Sequence, residues 1–342
     1  MKEILNIQKQ LLPDLLDTMK ERYTILHHIM VSGVVGRRTL AGSLNMTERV
    51  LRSEVEFLKA QGLLEIEAAG MRVSVAGRQL LESIEPMVRE LFGLNELGGR
   101  IRKHFGLKQV IIVPGDSDTS PHTKKELGRA GAAVLRKYVS KDEVIAVTGG
   151  STMAEVAYHL SSSTSLKGSW FVPARGGLGE SVDFQANTIA STMAKKTGAS
   201  YRLLHVPDQL GEDAYQSLMQ DTTITEIIEF IRKARIVIHG IGEAMVMARR
   251  RKVDDATTAS LLHEGALAEA FGYYFDRGGR IIHKMPTVGL RIDDIQEMDC
   301  VIGVAGGKSK GEAIVSVLSF GHEDILVTDE AAAIEMVQML PS

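Results

Sequence analysis

Apolar positions in the first ninety residues recur at helical spacing three times and then alternate. Leu15, Leu16, Met19, Tyr23, Ile25, Leu26 and Ile29 predict a helix over Asp14 to Met30, with Gly33 as its stop. In Gly36 to Leu44, the residues Leu40, Ala41 and Leu44 share one face of a stretch too short to stand alone as a helix, and Asn45 breaks it. Thr47 is placed to cap a third helix, Glu48 to Gln61, with Val50, Leu51, Val55 and Leu58 inward and Arg49, Arg52, Ser53 and Lys59 outward. Gly62 closes that helix. Leu64 to Glu67 and Met71 to Val75 then alternate about Ala69-Gly70, a hairpin signal. Helix, short helix, helix, hairpin is the order of a winged helix-turn-helix.

Leu80, Leu81, Ile84, Val88, Leu91 and Leu94 continue at helical period, with Pro86 inside the run. This predicts a connecting helix bent or restarted at Pro86. Its apolar stripe has two possible covers, a second subunit or its own domain. From Gln109 onward, short apolar runs alternate with helical patterns. Strands are expected at Val110–Val113, Val144–Val147, Ser169–Pro173, Tyr201–Val206, Arg235–His239, Cys300–Ala305 and Asp324–Val327, with helices over Thr123–Tyr138 and Phe184–Lys196 among the connections. Such alternation predicts a mostly parallel sheet wrapped by helices, with ligands at the carboxyl ends of the strands. The expected organisation is a winged helix-turn-helix over residues 1–76, a linker helix over 77–97 and an α/β domain over 98–342.

Composition adds limits. A chain of 342 residues with 44% hydrophobic and 24% charged residues fits a soluble protein of two domains. Its formal net charge of -3 gives no global nucleic-acid signature, so any DNA contact must come from local placement. Residues 1–90 hold 12 basic and 12 acidic side chains, but Gly36 to Gln61 holds 5 basic to 3 acidic. Two readings of this segment stand: a helix that enters a major groove, or a helical interaction module with solvated arginines. Element order and arginine position favour DNA. The facing set is Arg37, Arg38, Thr47, Arg49, Arg52 and Ser53, with Arg37, Arg38 and the wing on the backbone and Glu54 and Glu56 turned away. A single cysteine, Cys300, excludes an intramolecular disulfide and reads as a buried thiol. No signal peptide and no membrane-spanning run is evident, which fits a cytoplasmic protein.

The chemistry gathers around Glu143 to Thr152, EVIAVTGGST. A buried strand ending in paired glycines and two hydroxyls supplies either an anion-binding nest or a merely tight connection. Further glycine-rich turns, Ala174–Gly179, Gly240–Glu243 and Ala305–Lys310, fall at the ends of other strands. Arg175 offers a bidentate fork for phosphate, and Lys308 and Lys310 place cations near the same rim. AGGKSK is not a P-loop, because the glycine required five residues before Gly307 is Ile302. Gln185 is either a sugar contact or an ordinary exposed glutamine. Glu269 is either a carboxylate for hydroxyls or a plain helix-surface acid. Arg249, Arg250 and Arg251 form a charge run that is solvated unless one reaches a second phosphate. Histidine spacing supports no metal site, and no Ser–His–Asp set or acid–base pair suggests catalysis.

With TGGST, PARGGLG, HGIGEA, EAFGYYF and AGGKSK in view, the whole chain resembles the central glycolytic genes repressors, a group of SorC/DeoR-type transcription regulators. The runs IQKQLLPDLLDTMKERYTIL and FVPARGGLGESVDFQANTIA look like that group in particular. The resemblance implies an N-terminal winged helix-turn-helix and a C-terminal doubly wound, Rossmann-like α/β domain related to sugar-phosphate isomerases. It implies no cofactor and an allosteric effector, fructose 1,6-bisphosphate, that relieves repression of the glyceraldehyde-3-phosphate dehydrogenase operon. Carried over by position, Gly149, Gly150, Ser151, Thr152, Arg175 and Lys310 hold one phosphate, Gln185 and Glu269 meet the sugar, and Arg250 approaches the other phosphate. Ser151 stands where threonine is also common. The implied partners are operator double-stranded DNA, a phosphorylated sugar and further copies of the chain, as a dimer or tetramer, with the linker stripe as part of that contact. A sugar-phosphate isomerase or deaminase fused to a helical module is the competing reading, with Glu269 its one nominee for a base.

Overall fold

The computed structural model describes residues 11–44, 46–161, 166–177, 181–207 and 210–341. The chain forms two compact units, Met1–Glu96 and Leu97–Ser342. Asn45, and Leu178 and Gly179 of the ARGGLG turn, lie outside the described residues, as does the leader before Leu11.

In the first unit, α1 (Pro13–Ser32), α2 (Arg37–Ser43) and α3 (Glu48–Ala60) are followed by β1 (Leu64–Glu67), β2 (Gly70–Val73) and α4 (Val75–Leu91). Ile25, Ile29, Leu40, Leu51, Val55, Leu58 and Met71 form the core. Thr47 caps α3, its Oγ1 accepting from the Val50 amide at 3.3 Å. The periodicity misplaced Val50, which is 43% exposed. Val75 is not a strand residue. Ser74 Oγ accepts from Gly77 N at 3.0 Å and starts α4, which leaves Val75 73% exposed. Pro86 neither ends nor restarts that helix; the chain breaks at Gly93, which takes φ 70, a left-handed turn that glycine adopts without strain. The linker stripe is largely used within this unit. Leu81 and Val88 join the core, and Leu91 packs with Leu16.

A further helix, α5 (Leu94–Phe105), leads into β3 (Gln109–Val113), α6 (Pro121–Tyr138), β4 (Val144–Val147), α7 (Ser151–His159), β5 (Trp170–Pro173), α8 (Ala186–Thr197) and β6 (Ser200–Tyr201). Then come α9 (Glu212–Leu218), α10 (Thr222–Ile231), β7 (Ile236–His239), β8 (Gly242–Glu243), α11 (Ala244–Arg250) and α12 (Asp255–His263). The chain finishes with β9 (Ala268–Ala270), β10 (Tyr273–Phe275), β11 (Ile281–Lys284), α13 (Ile292–Gln296), β12 (Cys300–Val304), α14 (Gly311–Phe320), β13 (Ile325–Asp329) and α15 (Glu330–Met339). Seven strands form one parallel sheet in the order β3-β13-β12-β7-β4-β5-β6. From β4 the chain winds outward through β5 and β6, and from β7 it winds the other way through β12 and β13. The order therefore reverses between β4 and β7, and a crevice opens there at the carboxyl ends. Ile145, Val147, Ile236, Ile238, Ile302 and Val304 sit in the core beneath it.

Two features depart from the expected pattern. The strand expected over Tyr201–Val206 stops at Tyr201, because the Asn187 side chain takes over as partner: its Nδ2 donates to Leu204 O at 2.9 Å and its Oδ1 accepts from Leu204 N at 3.1 Å. A second, antiparallel sheet, β11-β10-β9-β8, was not legible in the pattern, since its strands are two to four residues long. EAFGYYF is its tight hairpin, with Phe271 at φ 53 and Gly272 at φ 86, both positive as a two-residue turn of this hand requires.

Candidate functional site

Strand β4 passes through Thr148 into Gly149-Gly150 and helix α7. Thr148 Oγ1 accepts from Gly240 N at 3.2 Å, which ties the ends of β4 and β7 together at the reversal. Gly149 lies against the short 3-10 turn Val182–Phe184: a Cβ there would stand 2.6 Å from Phe184 O. Gly150 has φ 116 and ψ 157, a conformation essentially confined to glycine. Its amide is not free, since it donates to Phe184 O at 2.8 Å. The open donors are the next three. The first bond within α7 runs from Ala154 N to Gly150 O, so the amides of Ser151, Thr152 and Met153 have no intrahelical acceptor and point out of a helix N-terminus.

The nine residues carried over from the resemblance, Gly149, Gly150, Ser151, Thr152, Arg175, Gln185, Arg250, Glu269 and Lys310, all line one cavity at this end of the sheet. Arg251, Met247 and Phe271 line it too.

Glu269 is no helix-surface acid. It is buried in β9, and its Oε1 accepts from Arg175 Nη1 and Arg251 Nη2 at 3.0 Å each and from Gly272 N at 2.7 Å. Burial pushes its pKa up, but the charges of Arg251 and Arg175 and the Gly272 hydrogen bond outweigh it, so the carboxyl is held below the usual range and stays anionic. Arg175 is thus already oriented by Glu269. Within the triple-arginine run, Arg249 and Arg250 are exposed and Arg251 is buried. Sequence reasoning passed over Arg251 because a charge run gives no sign of which member turns inward; the helical phase, with Ala244 and Ala248 buried, was the one available signal.

The two lysines of AGGKSK part company. Lys308 is exposed and pairs with Glu335 at 3.4 Å, whereas Lys310 lines the cavity. The turn that carries them is held by carboxylates: Asp329 accepts from Gly307 N at 2.7 Å, Asp116 from Lys308 N at 3.2 Å and Asp118 from Ser309 N at 2.8 Å. Burial, with the charges of Lys124 and Arg250, lowers the proton affinity of Lys310 against the opposing pull of Asp118 and Asp329. Lys124, which the sequence reading missed, donates to Ser151 Oγ at 2.7 Å. Cys300 is buried away from this rim, and burial pushes its thiol up to about 11, as expected of a structural cysteine. Among the described residues no cluster of three metal-ligating side chains occurs, and no helix is long and apolar enough to cross a membrane.

In the first unit, α3 presents Arg49, Arg52 and Ser53 to solvent, as the pattern required. Glu56 accepts from Arg52 Nε at 2.9 Å. Glu54 is occupied by Arg22 at 2.7 Å, and that guanidinium stacks over Phe57 at 3.7 Å. Arg38 is exposed beside Glu48 at 3.5 Å, and Arg37 Nε is buried without an acceptor among the described residues. The Thr47 hydroxyl accepts in its cap and keeps its proton to donate. On the wing, Arg72 lies between Glu65 at 2.6 Å and Glu67 at 2.9 Å, which makes that hairpin face a poor one for phosphate.

Comparison with known proteins agrees with this division. The sugar-binding domain family matches residues 89–338, and the CggR N-terminal DNA binding domain family matches residues 18–88. The chain is 46% identical over 339 residues to the central glycolytic genes regulator of Priestia megaterium and 43% identical over 338 residues to that of Bacillus subtilis, in each case covering 99% of both chains. Among solved structures, a SorC family transcriptional regulator from Enterococcus faecalis is 40% identical, with a TM-score of 0.65 over 71% of this chain and 99% of that one. The full-length sorbitol operon regulator SorC of Klebsiella pneumoniae, at 17% identity, shares the fold with a TM-score of 0.67 over 88% of this chain and 93% of that one. These relatives are transcription regulators rather than enzymes.

Proposed function

Because the chain belongs to the central glycolytic genes regulator family of SorC-type transcription regulators, uniting a DNA-binding and a sugar-binding domain, we propose that it represses a glycolytic operon, that of glyceraldehyde-3-phosphate dehydrogenase, and releases it on binding fructose 1,6-bisphosphate. One observation carries the choice of ligand. Among the described residues, the cavity is lined by four cationic side chains, Arg175, Arg250, Arg251 and Lys310, against one carboxylate, Glu269, a formal excess of three positive charges. A single phosphate brings roughly -1.5 to -2 near neutral pH, and a bisphosphate about twice that. The excess therefore suits two phosphates better than one. Gln185 and the oriented Glu269 offer polar contacts for sugar hydroxyls, and the α7 amides offer donors for one phosphate.

Ligand can shift DNA binding only by preferring one arrangement of the protein over another. With α3 heads engaging two half-sites in a homo-oligomer, a modest rearrangement is enough to end simultaneous engagement. The test pairs two assays. A thermal-shift panel compares fructose 1,6-bisphosphate with fructose 6-phosphate, glucose 6-phosphate and dihydroxyacetone phosphate; a ligand at a hundred times its Kd adds about 2.7 kcal/mol of stability. Operator binding is then measured with and without the leading ligand. Unchanged operator affinity and assembly state in the presence of fructose 1,6-bisphosphate refutes the assignment.

A further inference from the structure

One cation at this site still has no role. Lys124, on α6, donates from Nζ to Ser151 Oγ at 2.7 Å and is half-buried. It reaches the first residue of α7 from a different element, across the packed α6–α7 pair. No carboxylate lies within ion-pair distance of its ammonium among the described residues, although Glu126 two positions on binds Arg129 at 2.9 Å. The neighbouring Lys125 is exposed, so the two lysines of the pair face different surroundings.

The direction of the hydrogen bond matters. An ammonium has only donors, so Lys124 must use a lone pair of Ser151 Oγ, and the hydroxyl proton is left to point elsewhere. With the Ser151, Thr152 and Met153 amides open at the same helix end, that proton joins a set of donors around one point. Lys124 also stands near enough to Lys310 for its charge to lower the proton affinity of that lysine. Two like charges brought together, only partly offset by Asp118 and Asp329, are an unfavourable arrangement that an arriving anion relieves.

We infer that Lys124 is a further phosphate-site residue: it fixes Ser151 as a hydrogen-bond donor and, with Lys310, completes the cationic wall of the α7 N-terminal oxyanion site. This rests on the reading of the cavity as a phosphorylated-sugar site and extends it to a residue outside the cavity lining. The ligand chemistry is a tetrahedral oxyanion of at least two negative charges. A charged donor of this kind, holding Ser151 toward the anion from behind, accounts for about tenfold or more in affinity.

The test measures binding of fructose 1,6-bisphosphate and, separately, of inorganic phosphate by isothermal titration calorimetry to the full chain. The variants are K124M, K124R, K125M, S151A and K124M/S151A, each first checked for an unchanged near-ultraviolet circular dichroism spectrum. Expected are a loss of about tenfold or more in K124M, partial recovery in K124R, no change in K125M, and a double variant little worse than K124M, because both changes remove the same donor arrangement. If the wild-type chain binds the bisphosphate and K124M binds it equally well, the inference is overturned while the effector reading stands. If inorganic phosphate binds in a Lys124-dependent way and no sugar phosphate does, the effector reading fails and the role of Lys124 survives. If K124M and S151A losses simply add, the positioning of Ser151 by Lys124 is wrong. Were K124M to misfold, K124R against K125M decides the same question.

Discussion

Arg251 Nη2 lies 3.0 Å from Glu269 Oε1, and both side chains are buried. The same oxygen also holds Arg175 Nη1, so one carboxylate compensates two guanidinium groups inside the sheet end. Breaking a buried charge pair costs about 3–5 kcal/mol, far more than a surface pair is worth. Glu269→Gln keeps the shape and loses the charge. Its urea unfolding free energy should drop by about that amount, with no comparable drop for Glu56→Gln on the exposed face of α3.

The glycine nest gives a second prediction. Gly150→Ala forces a side chain into φ 116, and destabilisation of about 1–3 kcal/mol is expected from the strain alone. Gly149→Ala sets a Cβ against Phe184 O and should displace the 3-10 turn that precedes Gln185. Titration with fructose 1,6-bisphosphate should then show weaker binding in both variants, measured under conditions where each is folded.

Stability should also depend on pH through a pair beside the cavity. His239 Nε2 lies 2.8 Å from Glu323 Oε1 and its ring packs on Phe271. Burial lowers the proton affinity of this histidine, but the Glu323 charge and hydrogen bond, with the Gly240 carbonyl, outweigh it and raise the pKa above the ordinary 6.5. A histidine raised on folding contributes its full stabilisation below its unfolded value and loses it as pH rises through the folded value. Urea midpoints measured from pH 6.5 upward should therefore fall in the wild-type chain. The slope should flatten in Glu323→Gln; an identical slope would show that the histidine is not the titrating group.

Lys310 makes the opposite kind of prediction, for ligand rather than for stability. Its proton affinity is depressed below the ordinary 10.5, and a phosphate beside it would raise it again. Affinity for the bisphosphate should thus weaken as pH rises toward and through the lowered value. Calorimetry in two buffers of different ionisation enthalpy should show proton uptake on binding that grows as the pH is raised toward that lowered value, and Lys310→Met should abolish this growth.

On the DNA side, Arg49→Ala and Arg52→Ala remove exposed guanidinium groups from the proposed recognition helix. Where the arginine neutralises a phosphate, its removal should lower the dependence of operator affinity on salt by about one counterion; where it reads a base, its removal should relax sequence preference at one position. Arg72→Ala on the wing should change operator affinity little, because Glu65 and Glu67 already neutralise it.

Much of this protein could be read from its sequence. Thr47 before an amphipathic run specified the start of α3, and Val144–Val147 followed by two glycines specified the buried strand and the turn at the reversal of the sheet. These are local signals: a cap, a period and a backbone conformation that few residues adopt. The short strands β8 to β11 carried no such signal, since three residues do not show a period, and for that reason the local pattern left Glu269 open between a carboxylate for hydroxyls and a helix-surface acid.

What the sequence determined alone was the list of parts, a winged helix-turn-helix, an α/β domain and a set of polar residues in glycine-rich turns. Only the tertiary structure decided which of them meet. It turned Arg251 inward and left Arg249 and Arg250 exposed, spent the Gly150 amide on Phe184, separated Lys310 from Lys308 and brought Lys124 to Ser151. Local sequence fixes backbone geometry over a turn or two, whereas burial and charge pairing depend on elements far apart in the chain that pack onto the same strand ends.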